Sequence, residues 1–339
     1  MKEVIQMYAI NLSDPYMTVT IQQLKSKEEA KEIFLAMKKF AEEGLNFVVY
    51  TRDTRKEIII AGKGEKDLHE LISRLRDELD LEIDALEPQV LYKTSIQETV
   101  QSEGRYIRQS GGIHQYGHCW IELQPKSRDG GFDFTNGIVH DHVIPHEYIP
   151  SIRSGIEEMT VRGILGHFPV VDVKVTLLDG SFHSFDSKGM SFKIAAALAF
   201  RDGFERANPI LLEPIMRVSV TTMKCEISDH LSVLTLLRAR NINVNSENGK
   251  NVIEAEIPLK SCLGFRKQSH KSNVVMDINV IEFGYYDEVP EYLYESIIQE
   301  SNLEGANYTD LFSWEKWGKD NEERYLNDFV EAFWNEEES

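Results

Sequence analysis

Histidine is the side chain best suited to act as acid, base or ligand near neutral pH. Seven of the ten histidines in this 339-residue chain fall between His114 and His183. The run His140-Asp141-His142, followed by His146, has donors that a transition metal accepts. His146-Glu147-Tyr148-Ile149-Pro150 is not an H-E-x-x-H helix, however, and the spacing matches no closed metal site, so the cluster reads as a solvated loop. Cys119, Cys225 and Cys262 are too far apart for a zinc motif and too few for a disulfide framework. No G-x-x-x-x-G-K-[ST] is present, and Gly62-Lys63-Gly64 reads as a tight strand-to-helix turn. No local signature of a nucleophile with its base occurs, and nothing points to a paired-carboxylate site. We assign no catalytic residue, no cofactor and no metal ligand, and expect a protein that is not itself an enzyme.

A different chemistry is available to Arg105-Tyr106-Ile107-Arg108-Gln109-Ser110-Gly111-Gly112-Ile113-His114-Gln115-Tyr116-Gly117-His118. Two β-type runs flank a Gly-Gly turn that carries Arg, Gln, His and Tyr. Such a turn can approach a phosphate backbone closely, donate hydrogen bonds and stack on bases. Leu178-Asp179-Gly180-Ser181-Phe182-His183-Ser184-Phe185-Asp186-Ser187 has the same character. On composition alone, two ordinary hairpin turns explain both segments better.

The elements that would position these residues can be read from periodicity. Residues 1–90 show a strand over Met17–Leu24 and a helix through Ala30, Ile33, Phe34, Met37, Phe40 and Ala41 ending at Gly44. Strands Phe47–Tyr50 and Glu57–Ala61 then flank the polar turn Arg52–Lys56. A helix through Leu68, Leu71, Ile72, Leu75 and Leu79 and a strand at Leu81–Leu86 complete a βαββαβ, or ferredoxin-like, order. Residues 213–290 repeat it: strand Met216–Thr222, helix face Leu231, Leu234, Leu237, strands around Asn248-Gly249, a short helix Lys260–Lys267 and strand Asn273–Phe283. Residues 91–212 have long β-type runs (Tyr92–Val100, His118–Leu123, Val170–Leu178) and helices at about His146–Arg162 and Lys188–Ala207. The fold class is α+β: three consecutive α+β domains joined at Pro88 and Glu213-Pro214, followed by a tail, 291–339.

Charge separates the tail from the rest. The chain carries −19, of which −11 lies in 291–339, while 91–210 carries only −2. The total therefore does not argue against a local RNA-binding surface. The tail also holds Trp314, Trp317 and Trp334, and Tyr325, Phe329 and Phe333 recur at helical spacing with acids on the other face. It reads as an acidic amphipathic helix that docks either on its own domains or on a protein partner, with Trp314, Trp317, Tyr325, Phe329, Phe333 and Trp334 as the binding side chains. No apolar run is long enough to span a bilayer and the N-terminus is not a secretory signal, so we expect a cytoplasmic protein with no membrane partner.

RQSGGIHQYGH, IVHDHVIPHEYIPSIRSGIEE, FPVVDVKVTLLDGSFHSFDS, FKIAAALAF and NPILLEPIMRVSVTT together resemble the fourth domain of bacterial elongation factor G and its entry into the fifth. DPYMTVTIQ, IIIAGKGEKDLHELISRL and EPQVLYKTSI resemble its third domain. The resemblance runs from about Asp14 to Pro290 and does not include the GTPase and second domains. It implies a tRNA-mimicking arm, at 91–212, reaching the decoding A site, with ribosomal, transfer and messenger RNA as partners and no DNA. By the same resemblance the contacting tip is Gly111, Gly112, Gln115, Tyr116, Gly117 and His118, with Asp179, Gly180, Ser181 and His183 opposite. Departures occur at Gly64–His69, Ser228-Asp229-His230, Arg238–Asn241 and Gln268–Ser272, and the fifth-domain ones fall where the family faces the large ribosomal subunit. A GTPase-less ribosome-binding protein of translation elongation is the function implied, and a protein-interaction scaffold recruiting a separate GTPase through its tail is the alternative.

Overall fold

The computed structural model describes residues 15–22, 24–52, 57–110, 113–138, 140, 142–223, 227–247, 250–268, 278–303 and 310–311. The chain divides into two compact units. One comprises residues up to 89, 93–211 and 290 onward, and the other 90–92 and 212–289.

In the first unit, β1 (Met17–Gln22), α1 (Lys27–Glu42), β2 (Val48–Arg52), β3 (Glu57–Gly62), α2 (Glu65–Leu79) and β4 (Asp84–Ala85) follow the expected βαββαβ order. The strands lie β2-β3-β1-β4, with β1 antiparallel to both β3 and β4. This is the split βαβ arrangement, and α1 and α2 bury Ile33, Phe34, Met37, Phe40, Leu68, Leu71, Ile72 and Leu75. Ser26 caps α1 by accepting the Glu29 N–H at 3.1 Å. The turn at 53–56 lies outside the described residues.

The same unit holds a second sheet, built from β5 (Val100–Ser110), β6 (Ile113–Pro125), β7 (Phe132–Asn136) and β8 (Val173–Ser181) in the order β5-β6-β8-β7. β5 and β6 form a long antiparallel hairpin, and β7 and β8 pair in parallel across the helix α3 (Ile149–Arg162). The expected run 92–100 is broken, because Lys93–Ile96 is a separate strand and Val100 opens β5. β7 was not expected: its alternation, Phe-Asp-Phe-Thr-Asn, is only five residues long. Helix α4 (Gly189–Arg206) covers one face, so that Phe192, Ala195, Ala196, Ala199, Phe200 and Phe204 pack on Cys119, Ile121, Leu123, Val173, Val175 and Leu177. The helix lies so close that a Cβ on Gly104 would overlap the Ala195 carbonyl oxygen, and one on Gly117 the Ser191 carbonyl.

The second unit repeats the split βαβ order. β9 (Pro209–Met223), α5 (Ile227–Leu236), β10 (Arg240–Glu247), β11 (Lys250–Pro258), α6 (Leu259–Gln268) and β12 (Ile278–Glu288) give strands ordered β10-β11-β9-β12. The expected turn Asn248-Gly249 lies outside the described residues. Glu213 and Pro214 do not interrupt the chain but lie inside β9, which starts seven residues before the expected strand. Pairing with β11 begins at Ile215, one residue beyond the proline, so the ring owes that neighbour no N–H. Glu213 is buried and receives the guanidinium of Arg238.

After β12 come α7 (Tyr294–Leu303) and the short β13 (Asp310–Leu311), which pairs antiparallel with Thr51 and Tyr50 of β2. The expected tail helix through Tyr325, Phe329 and Phe333, together with Trp314, Trp317 and Trp334, lies outside the described residues. Among the described residues no helix is long and apolar enough to cross a membrane.

Candidate nucleic-acid interface

Strand geometry divides the β5–β6 hairpin into two faces. Gln115, Gly117 and Cys119 lie on the α4 side of β6, while His114, Tyr116, His118 and Trp120 lie on the side that no helix among the described residues covers. On β5 the open side carries Glu103, Arg105 and Ile107. Arg105, His118 and Ser181 stand directly across from one another on β5, β6 and β8. The two segments singled out in the sequence are therefore neighbours in one sheet.

A chain of hydrogen bonds joins them. His118 places Nε2 2.9 Å from Glu103 Oε1 and Nδ1 2.8 Å from Ser181 Oγ, which is in turn 2.7 Å from the Tyr116 hydroxyl. An ionised Glu103 can only accept, so the proton of a neutral His118 sits on Nε2. Nδ1 then accepts from Ser181, and Ser181 accepts from Tyr116. Both His118 nitrogens and the Ser181 and Tyr116 hydroxyls thus have partners, which fixes the phenol and imidazole rings on the open face. Glu103, fifteen residues from His118, was not among the expected site residues. Strand alternation combined with the hairpin register is the signal that would have found it.

The turn after β8 is tied to the same place. The Tyr116 N–H donates to the Asp186 carbonyl at 3.0 Å, and the Ser187 hydroxyl donates to the Tyr116 carbonyl at 3.0 Å. Within the turn the Ser187 N–H reaches the His183 carbonyl at 2.9 Å, and the His183 N–H reaches Ser187 Oγ at 2.9 Å. His183 holds Nδ1 3.0 Å from Asp186 Oδ2 and is 58% exposed. That bond leaves Nε2 facing outward as the group available to a ligand. The His183 ring lies 6.5 Å from that of Tyr116.

The expected tip residues thus separate by role. Tyr116, His118, Ser181 and His183 come together on the open face. Asp179 is exposed, with Oδ1 accepting the Gly180 N–H at 2.8 Å. Gln115 sits on the other face and accepts from the Tyr106 hydroxyl at 3.1 Å. Gly117 is buried against α4, so its lack of a side chain serves close packing. Gly180 likewise packs, a Cβ there overlapping the His118 carbonyl and Ile144. Gly111 and Gly112 lie outside the described residues. Arg105–Ser110 and Ile113–His118 are strand, as expected of the β-type runs that flank Gly111-Gly112.

Both signs of charge lie at this end of the sheet. Arg105, Arg108 and Lys188 are exposed and form no ion pair with a described residue, whereas the nearby carboxylates of Glu103 and Asp186 are engaged by imidazoles. Cys119, behind the sheet, is free and its thiol is pushed up to about 12 by burial, which leaves it inert. His140 and His142 stack with ring centres 5.2 Å apart, and among the described residues no three His, Cys, Asp or Glu side chains are grouped to hold a metal.

Comparison with known proteins agrees with this geometry. Residues 88–208, which include the whole β5–β8 sheet and α4, match the family described as elongation factor G, domain IV. A crystal structure of a protein from Thermus thermophilus is 33% identical, with a TM-score of 0.58. The match covers 87% of the present chain and 44% of the Thermus chain, so this chain spans less than half the length of that relative.

Proposed function

We propose that this chain is a translation-factor-like protein that binds the ribosome, with the open end of the β5–β8 sheet in or near the decoding A site, and that it acts in or regulates elongation. The observation that carries the reading is the convergence of Tyr116, His118, Ser181 and His183, with Arg105 in the same cross-strand row and forming no ion pair with a described residue, inside the region that matches elongation factor G, domain IV. These residue types suit RNA: the exposed His183 imidazole for sugar and base edges, the Tyr116 phenol ring for stacking, and the Arg105 guanidinium for phosphates. The residues supply positioning and charge. Sedimentation with purified ribosomes at low salt tests it. The full chain is expected to co-pellet, and the double variant Arg105→Glu/His183→Ala to weaken binding by about tenfold or more, with a shallower salt dependence. Absence of co-pelleting overturns ribosome binding. Co-pelleting that ignores the double variant removes this face from the interface.

A further inference from the structure

Phe185 is 87% exposed, more than any other large apolar side chain among the described residues. Phenylalanine is ordinarily among the buried residue types. A loosely held loop would make such exposure uninformative, but this turn is not loosely held. Asp186 and Ser187 on its C-terminal side and His183 on its N-terminal side are bonded to each other and to the backbone of Tyr116. The ring is therefore presented to solvent on a fixed support, which reduces the ordering cost of binding something flat.

Its surroundings identify the occupant. Tyr116 and the exposed Ile107, 49% accessible, lie in one row across the sheet from the turn, and Phe182 beside it is 37% exposed. Arg105, Arg108 and Lys188 provide positive charge without a described ionic partner. Of the acids closest in sequence, Asp186 is bonded to His183 and Asp179 to the Gly180 N–H, which fixes both carboxylates in place. Exposed aromatic rings beside the row that carries Arg105 match a polymer whose units have flat π faces as well as phosphates.

We propose that Phe185 is a stacking platform for an unpaired RNA base, so that the turn holds single-stranded RNA by its bases as well as by its phosphates. The proposal rests on the RNA-binding reading above and adds to it the chemical state of the target, an unstacked base. Lys188, three residues further along the chain, supplies a cation for the sugar–phosphate, and His183 Nε2 a group for a hydrogen bond.

Phe185→Trp, Phe185→Leu and Phe185→Ala in the full chain test this, because a side chain this exposed can be replaced without unfolding the protein, as circular dichroism and thermal melting will verify. Two probes are used for each variant: purified ribosomes by sedimentation, and a fluorescently labelled oligo(A) RNA of about 12 nucleotides, within the site size of single-strand binders, by anisotropy. Stacking on one base corresponds to about 5- to 150-fold in affinity. Wild type and Phe185→Trp are expected to bind alike, and Phe185→Leu and Phe185→Ala to lose about tenfold or more on both probes. Leu binding as tightly as Phe while Ala does not would overturn stacking in favour of apolar contact with a protein. Equal binding by all four would remove Phe185 from the interface. Ribosome binding that ignores Phe185 sinks this proposal and leaves the ribosomal reading standing. Phe185-dependent oligo(A) binding without ribosome binding does the reverse, and failure of wild type on both probes sinks the two together.

Discussion

The two faces of the β5–β6–β8–β7 sheet are made from the same strands and obey opposite rules. On the α4 face, side chains have been reduced almost to nothing at Gly104 and Gly117, so that helix backbone meets strand backbone, with the phenylalanines of α4 filling the space between. On the open face the adjacent residues Arg105, Tyr116 and His118 are large and polar, and Tyr116 and His118 are held by hydrogen bonds along the sheet surface. Neighbours in sequence therefore have unrelated duties: Tyr116 presents a ring to solvent, and Gly117 has no room for a methyl group. A glycine-rich hairpin need not be a glycine-rich binding loop. Here part of the glycine content belongs to packing.

That contrast can be broken most severely on the packed face. Gly104→Leu and Gly117→Val each force a side chain into the backbone of α4, and we expect a loss of about 3 kcal/mol or more in urea unfolding, up to failure to fold. A loss under about 1 kcal/mol for both would refute the close-packing account. The open face should be far more tolerant. Ser181→Ala removes the link between Tyr116 and His118 and should cost about 1 kcal/mol in the same measurement, since solvent can replace both bonds. Its effect should appear instead in ribosome affinity, through freer Tyr116 and His118 rings. A Ser181→Ala protein as damaged as Gly104→Leu would show the polar row to be structural.

A smaller, pH-dependent effect sharpens the comparison at the margin of the packed face. Ser102 donates to Asp202 of α4 at 2.7 Å, and Arg206 bonds the same carboxylate, holding its pKa below the usual carboxylate value, Arg206 first and Ser102 second. A carboxyl group with a depressed folded pKa contributes stability that is present above its unfolded pKa and lost as pH falls through the folded one. The melting temperature of Ser102→Ala should therefore trail wild type at about pH 7, and the gap should narrow as pH drops below about 4. A gap that stays constant down to about pH 2 would mean the bond to Asp202 contributes nothing pH-dependent.

Both βαββαβ units were legible because their helices are amphipathic at a period near 3.6 and their strands are bounded by turn residues. Leu68, Leu71, Ile72 and Leu75 are buried as that spacing requires. β7 escaped because five residues of weak alternation cannot be told from loop, and its parallel partner β8 lies far downstream, beyond α3. The start of β9 escaped because Glu213-Pro214 is a turn signal by composition, overridden by buried Leu211 and Leu212 and by the Arg238 guanidinium that receives Glu213. β13 is two residues long and shows itself only through its pairing with β2.

At the candidate site the sequence supplied residue types and their rough neighbourhood. It placed His, Tyr, Arg and Gly in two segments, and put most of the net negative charge in the tail beyond residue 290. Those are local facts, fixed by composition and by the two- and 3.6-residue periods of backbone geometry. Which groups touch was decided only by tertiary structure. Glu103 meets His118 because of the hairpin register, His118 meets Ser181 because β8 lies antiparallel against β6, and Phe185 stays in water because the turn that carries it is bonded to Tyr116. Strand register depends on pairing between distant segments, and a shift of one residue would exchange the open face for the packed one.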